Sequence, residues 1–414
     1  ALPIWPFDFS SGGTQFCFNG VFTRTLIKRN IRMANVLTNL ANDIMIAADQ
    51  VGREAVGFIP SVTINSGSEE AAQGDTVRSF VTPAATVNTS ATPSMTIPEG
   101  DDQTVTTKTM ALDQIASVRI PWTGEDIKHV NNGSGFETVY GDQIKQAMKG
   151  ITNSIESHIA TIAYQGASRA VGTAGTTPFS SNHDTVAEAR QIIFDNGIPV
   201  DDNRLSLILN SNAGTNLRNL AVLQKANESG NDSLLRQGTL LDLQGAMVKE
   251  SGQVVSHTKG TGASYIVNDA SSAIGDTTIA TDTGSGTILA GDIVTFNADT
   301  TNKYVVNTAL SGGSFVIGDT GLRQAAVDDE AITVGNSFAA NVMLHQSGVE
   351  LAMRPLAKPA GGDAAVDVMT VEDPFSGLVY QISFYKGYNK AMIDITVLYK
   401  AKVWNSDAIS LLIG

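Results

Sequence analysis

The chain has 414 residues, of which 42% are apolar, 6% aromatic and 16% charged. That apolar share excludes an intrinsically disordered chain, and the length suffices for two or three lobes with sizeable cores. A formal net charge of −14 excludes a general affinity for DNA phosphates, which needs clustered Lys and Arg to release counterions.

A container that repels its contents remains compatible with that charge, because a packaged polymer then slides along the wall. Cys17 is the single cysteine, so no disulfide forms within the chain and no thiolate zinc site exists, which suits a reducing cytoplasm. No apolar run reaches the roughly 18 residues that a bilayer span needs.

Residues 1–32 begin aromatic-rich and end with Arg24, Lys28, Arg29 and Arg32 unopposed by acids. Basic residues after the apolar stretch reverse the order of a secretory signal. The segment reads either as an N-terminal arm or as translated upstream sequence with Met33 the usual start. Val36, Leu40, Ile44, Ala47, Ala48 and Val51 recur at helical spacing, so residues 35–56 predict a helix, ended by Phe58-Ile59-Pro60.

Residues 61–115 are rich in Thr, Ser, Ala, Val and Gly, with Pro83, Pro93 and Pro98 and no helical period. Short strand-like runs occupy 76–82 and 103–110. A stretch this long without its own core is either a loose surface loop or a hairpin arm laid on another molecule.

A strand over 115–120, ended by Pro121, precedes the strongest helical signal. Tyr140, Ile144, Met148, Ile151, Ile155, Ile159 and Ile162 repeat at three and four, behind a Ser134/Glu137 capping box and before Gly166. Thr185 and Glu188 repeat the capping pattern for a helix that stops at Gly197-Ile198-Pro199. Leu205–Leu209 reads as a buried strand, and Asn210 or Ser211 caps a helix through Leu223. Strand–helix alternation predicts a mixed α/β lobe.

Residues 268–336 change character, with turn signals every eight to twelve residues and strand candidates at 277–280, 292–296, 303–306, 314–317 and 331–334. Nine acids (Asp269, Asp276, Asp282, Asp292, Asp299, Asp319, Asp328, Asp329 and Glu330) face two bases, Lys303 and Arg323. The stretch reads as an inserted, solvent-facing acidic β domain. A helical pattern is then expected over 338–355, followed by alternating strands at 378–386 and 391–403.

No motif for chemistry is present. His129, His158, His183, His257 and His345 form no HExxH pair, and the chain has no Walker loop, no GxGxxG after a strand and no GxSxG elbow. His158 reads as a partly exposed structural residue, and His129 and His183 as surface residues. Asp201-Asp202 and Glu69-Glu70 are acidic pairs in turns, where solvated carboxylates are the ordinary outcome and a calcium site the sharper alternative. We therefore expect no catalytic, cofactor-binding or metal-ligating residue, no cofactor and no enzymatic activity.

Five blocks, in order along the chain, carry a family resemblance. They are Ile120-Pro121-Trp122-Thr123 with the long helix, and Ala187–Asn210 with its Asn196-Gly197-Ile198-Pro199. Next come Leu235-Arg236-Gln237-Gly238 through Gly245, Ser251 and His257, then Asn336–Pro355 with Leu344-His345 and Met353-Arg354-Pro355-Leu356. The last is Tyr380–Trp404, with Tyr388 and Val397-Leu398-Tyr399. Together they resemble the major capsid (coat) proteins of short-tailed double-stranded DNA bacteriophages, in which a Hong Kong 97-type fold carries an inserted β domain.

The resemblance implies an α+β subunit with several regions. They are an N-terminal arm and helix (1–60), an extended hairpin loop (61–115), a peripheral domain with a long spine helix (116–185), the first part of an axial domain (186–267), the insert (268–336) and return strands (337–414). It implies self-assembly into hexamers and pentamers of an icosahedral shell in the host cytoplasm, a virion location and enclosed double-stranded DNA. Scaffolding and portal proteins are implied partners, and a decoration protein a further one; no membrane is involved. Lys108 is a lone candidate for the cross-linking that some relatives use, against the plainer reading of an exposed lysine. An encapsulin-like nanocompartment shell and a secreted β-rich adhesin are the alternatives.

Overall fold

The structure is a computed structural model. It describes residues 57–414 except 68, 82–92, 94, 98–105, 132–135, 225–241, 270–271 and 374–376. The expected helix at 35–56, the segment 1–32 with Cys17, the Ser134 cap and the Leu235–Gly238 block lie outside the described residues.

The architecture is mixed α+β with far more strand than helix. After a single 3-10 turn at Ile59–Ser61, the first elements are β1 (Thr63–Ser66), β2 (Thr76–Val81), β3 (Thr106–Ala111), β4 (Gln114–Thr123), α1 (Gly124–Asn131), α2 (Phe136–Gln165) and β5 (Arg169–Gly172). Then follow α3 (Asp184–Asp195), β6 (Leu205–Leu209), α4 (Ser211–Asn219), α5 (Ala221–Gln224), β7 (Met247–Glu250) and β8 (Ser256–His257). Next come β9 (Tyr265–Val267), β10 (Thr278–Asp282), β11 (Ile293–Phe296), β12 (Lys303–Ser311), β13 (Ser314–Ile317) and β14 (Ala331–Val334). The chain closes with β15 (Phe338–His345), β16 (Val349–Arg354), β17 (Ala365–Glu372), β18 (Val379–Gly387), β19 (Lys390–Val403) and β20 (Ile409–Ile413).

Helix α2 is 30 residues long, about 45 Å at 1.5 Å per residue. Its apolar stripe is the predicted one: Ile144, Met148, Ile151, Ile155 and Ile159 are all buried. Each such side chain stabilises the fold by roughly 2 kcal/mol when fully removed from water. The helix packs on a six-stranded sheet built around β19, which pairs with β4 along one edge and with β18 and then β16 along the other. Gly166 follows the helix where any Cβ would lie 2.5 Å from the Val403 side chain, so the stop is also a close approach to β19.

β4 does not end before Pro121 but runs on to Thr123. Among the described residues it pairs only with β19, and an edge strand tolerates proline because one side needs no N–H. Helix α3 begins at Asp184, one residue before the expected Thr185 cap. Thr185 therefore sits inside the first turn with its hydroxyl buried and unpartnered. Asn210 does cap α4, its Oδ1 accepting from Ala213 N at 2.8 Å, but the helix breaks at Leu220 into α4 and α5.

The expected helix over 338–355 is two strands, β15 and β16, joined by a 3-10 turn at Gln346–Gly348. β15 lies between β20 and β6 in the larger sheet, and residues 340–345 are buried without interruption. A strand covered on both faces has a continuous apolar run, which carries no two-residue alternation and mimics a buried helix. Val186, Ala189 and Ile193 of α3 pack over this sheet against Leu205, Leu207, Met343 and Leu412.

Strands β9 to β14 close on themselves in the order β11-β14-β9-β10-β13-β12, with β12 returning to β11, every pair antiparallel. The result is a small six-stranded barrel filled by Val267, Ile279, Val294, Phe296, Tyr304 and Phe315 among others. It starts at Tyr265, ahead of the expected 268, and β12 also pairs with β5 of the larger sheet. The acids are not uniformly solvent-facing: Asp292, Asp299 and Glu330 are buried.

Candidate functional site

The histidines are dispersed. His129 is exposed, and His183 precedes α3 without capping it. His158 lies edge-on to Tyr399, with burial and then the Lys400 charge holding its pKa below the usual imidazole value. His257 is buried between Tyr164 and Phe338, its Nε2 2.8 Å from Asp292 Oδ1 and its Nδ1 3.4 Å from the Tyr164 hydroxyl. Asp292 also accepts from Gly260 N and Leu289 N, so the group is a structural staple from α2 to the barrel.

Asp202 Oδ2, His345 and Ser347 Oγ lie in line at 2.9 and 2.7 Å. The second ring nitrogen also accepts from Ser347 N at 3.3 Å, so His345 is the cap of the 3-10 turn. The His345 hydrogen bond is the main cause of the lowered Asp202 pKa. Asp201 pairs with Arg190 at 2.6 Å and Glu70 with Lys358 at 3.5 Å. Among the described residues no group of three His, Cys, Asp or Glu is placed to hold a metal ion, and no helix is long and apolar enough to cross a membrane.

What the fold presents instead is a projecting hairpin. β2 and β3 pair with each other through six residues, and among the described residues neither joins a larger sheet. Its base is anchored. Met110 and Leu112 join Ala71, Ala352 and Leu398 in a small core with Val77 packed against it. Lys108 Nζ donates to Trp404 O at 2.8 Å and Lys402 Nζ to Thr109 O at 2.8 Å. Lys400 Nζ meets Asp113 at 2.8 Å, the hydrogen bond that chiefly lowers that carboxyl's pKa.

In the sequence between β2 and β3, Met95 and Ile97 stand more than nine-tenths exposed. Beside α2, the edge strand β4 borders an open groove of about 650 Å3, lined by Val118, Ile120, Pro121, Val139, Gln143 and Ala147.

Glu156 escaped sequence analysis. It sits among the isoleucines of α2, 1% exposed, and accepts from Gly57 N at 2.6 Å, Phe58 N at 2.7 Å, Ile59 N at 2.9 Å and Ser251 Oγ at 2.9 Å. A charged residue on the apolar stripe of a helix was the available signal, since a buried carboxylate requires partners.

No protein-family model matches the chain, and no curated protein matches its sequence. Among solved structures the chain is similar to Mycobacterium phage Che8 at 15% identity and TM-score 0.44, covering 82% of this chain and 84% of that one. It is similar to the capsid of cyanophage P-SCSP1u at 10% identity and TM-score 0.46, covering 85% and 86%. The mature capsid of bacteriophage PhiM1 aligns at 10% identity and TM-score 0.45, covering 86% of each chain.

Proposed function

We propose that this chain is a major capsid protein, and that its copies assemble into the icosahedral shell enclosing the genome of a tailed double-stranded DNA bacteriophage. The observation that carries this reading is the hairpin of β2 and β3. An isolated two-stranded ribbon is marginal in water, and the segment that joins these two strands carries the exposed apolar side chains of Met95 and Ile97. Cover from a neighbouring copy stabilises it and hides strand edges that otherwise invite disorderly pairing. The five ordered sequence blocks support the same assignment.

In this reading the finer architecture is of the Hong Kong 97 type. The hairpin is the extended loop, α2 the spine of a peripheral domain, and the β6–β15–β20 region the axial domain. The barrel is the inserted β domain, with a start moved to Tyr265. Each contact between subunits is modest, and the closed shell is stable because several neighbours hold every subunit at once. Scaffolding and portal proteins are the expected assembly partners, with assembly in the host cytoplasm. The DNA is enclosed without sequence-specific contacts, and the chain works as a structural element rather than a catalyst.

The test is electron microscopy and light scattering of the chain expressed with and without its neighbouring genes. Closed shells containing DNA are expected. Shells filled with protein cargo and lacking DNA point to a nanocompartment, and self-contained monomers under both conditions overturn the proposal.

A further inference from the structure

The strap formed by residues 57–61 is held by side chains rather than by a ladder. Its first three N–H groups are the unsatisfied donors at the start of a one-turn 3-10 helix, whose own N-cap makes no side-chain bond. Glu156 takes all three from α2, a sequence separation of nearly one hundred residues. On the other side Lys249 Nζ reaches Ser61 Oγ at 2.8 Å and Pro60 O at 3.3 Å. Phe58 and Ile59 are fully buried. At Gly57 a Cβ would lie 2.9 Å from Ile208 Cγ2 and 3.1 Å from Ser251 Cβ, so the backbone is pressed onto β6 and the segment after β7.

Beyond the strap, β1 joins β16 through four residue pairs only, and its own side chains are half-buried or exposed. Residues 57–66 touch the body through Glu156 and Lys249, through the buried Phe58, Ile59 and Val62, through the four-pair ladder, and through hydrogen bonds of Thr63 and Asn65 with Gln346, Glu350 and Arg354. A segment at a sheet edge, held mostly by side chains and laddered to one strand only, is of the kind that opens below the free energy of global unfolding.

We propose that Glu156 is a latch: residues 57–66 open as a unit, β1 leaving the sheet edge, while α2, the other strands and the barrel stay folded, and the Glu156 carboxylate sets that equilibrium. The inference rests on the contacts of Glu156 and stands apart from the shell assignment.

The experiment is native-state hydrogen exchange on the full chain at increasing sub-denaturing urea. In the unaltered chain the amides of Gly57, Phe58 and Ile59 exchange with little urea dependence, ahead of Val294 and Val305 in the barrel. Glu156→Gln speeds exchange at 57–59 by about a hundredfold, the loss expected for hydrogen bonds to a charged acceptor, while these amides stay ahead of the barrel and keep their weak urea dependence. Gly57→Ala does the same by steric means with the carboxylate intact. The latch is refuted if the three amides of the unaltered chain exchange only together with the barrel. It is equally refuted if Glu156→Gln leaves them unchanged, or raises their urea dependence to that of the barrel amides.

Discussion

Single side chains of the same type do opposite work in the barrel. Asp292 is 1% exposed and accepts from His257 Nε2, Gly260 N and Leu289 N, whereas Asp282 is exposed. Asp292→Ala leaves three buried donors unpaired and should cost about 3 kcal/mol in urea unfolding, while Asp282→Ala should stay within about 0.5 kcal/mol. Equal effects would contradict this division. Tyr380 is a second such residue. Burial, with Asp373 adding to it and the Thr152 hydrogen bond opposing, pushes its hydroxyl from 10.0 up to about 12. The folded value lies above the unfolded one, so the protonated form stabilises the fold. That contribution is complete below pH 10 and is lost as pH rises towards about 12. Alkaline unfolding followed by circular dichroism should therefore move to higher pH in Tyr380→Phe, and an unmoved midpoint counts against the assignment.

At the level of elements, the hairpin and the long helix differ in what they need. Helix α2 carries a full apolar stripe and packs on β19 and β4, so it is stabilised within the chain. Among the described residues the base of the β2–β3 ribbon is held by Val77, Met110 and the following Leu112 and by the hydrogen bonds of Lys108 and Lys402. Replacing residues 79–108 by an Asn-Gly turn keeps the Val77–Met110 and Arg78–Thr109 pairs and the small core. The resulting chain should keep its circular dichroism spectrum and urea midpoint yet form no particles in sedimentation or microscopy. Normal particles from it would remove the hairpin from the assembly mechanism.

For the whole molecule, the barrel is fused to the larger sheet and does not hang from it by a linker. β12 pairs with β5, Arg169 reaches Asn302 at 3.0 Å, Arg323 reaches Asp195 O at 3.1 Å, and Lys303 donates to Gly172 O. Such shared hydrogen bonding couples the two bodies. Calorimetry of the full chain should show barrel and sheet melting in one transition. A separate early transition that Asp292→Ala alone moves would show them to be independent.

What the sequence determined by itself is what repeats locally. The stripe on α2 and the strands Leu205–Leu209, Ser314–Ile317 and Ala331–Val334 were legible with their bounds, because side-chain period and turn residues act within a few positions. The tertiary structure decided the rest, since each item depends on a partner far along the chain. β15 became a strand because β20 and β6 cover it, Pro121 stayed in β4 because that strand is an edge, and the barrel closed because β12 returns to β11. Glu156 was invisible for the same reason: its partners lie about one hundred residues away, and a carboxylate shows nothing of what it will accept until the chain has brought the donors to it.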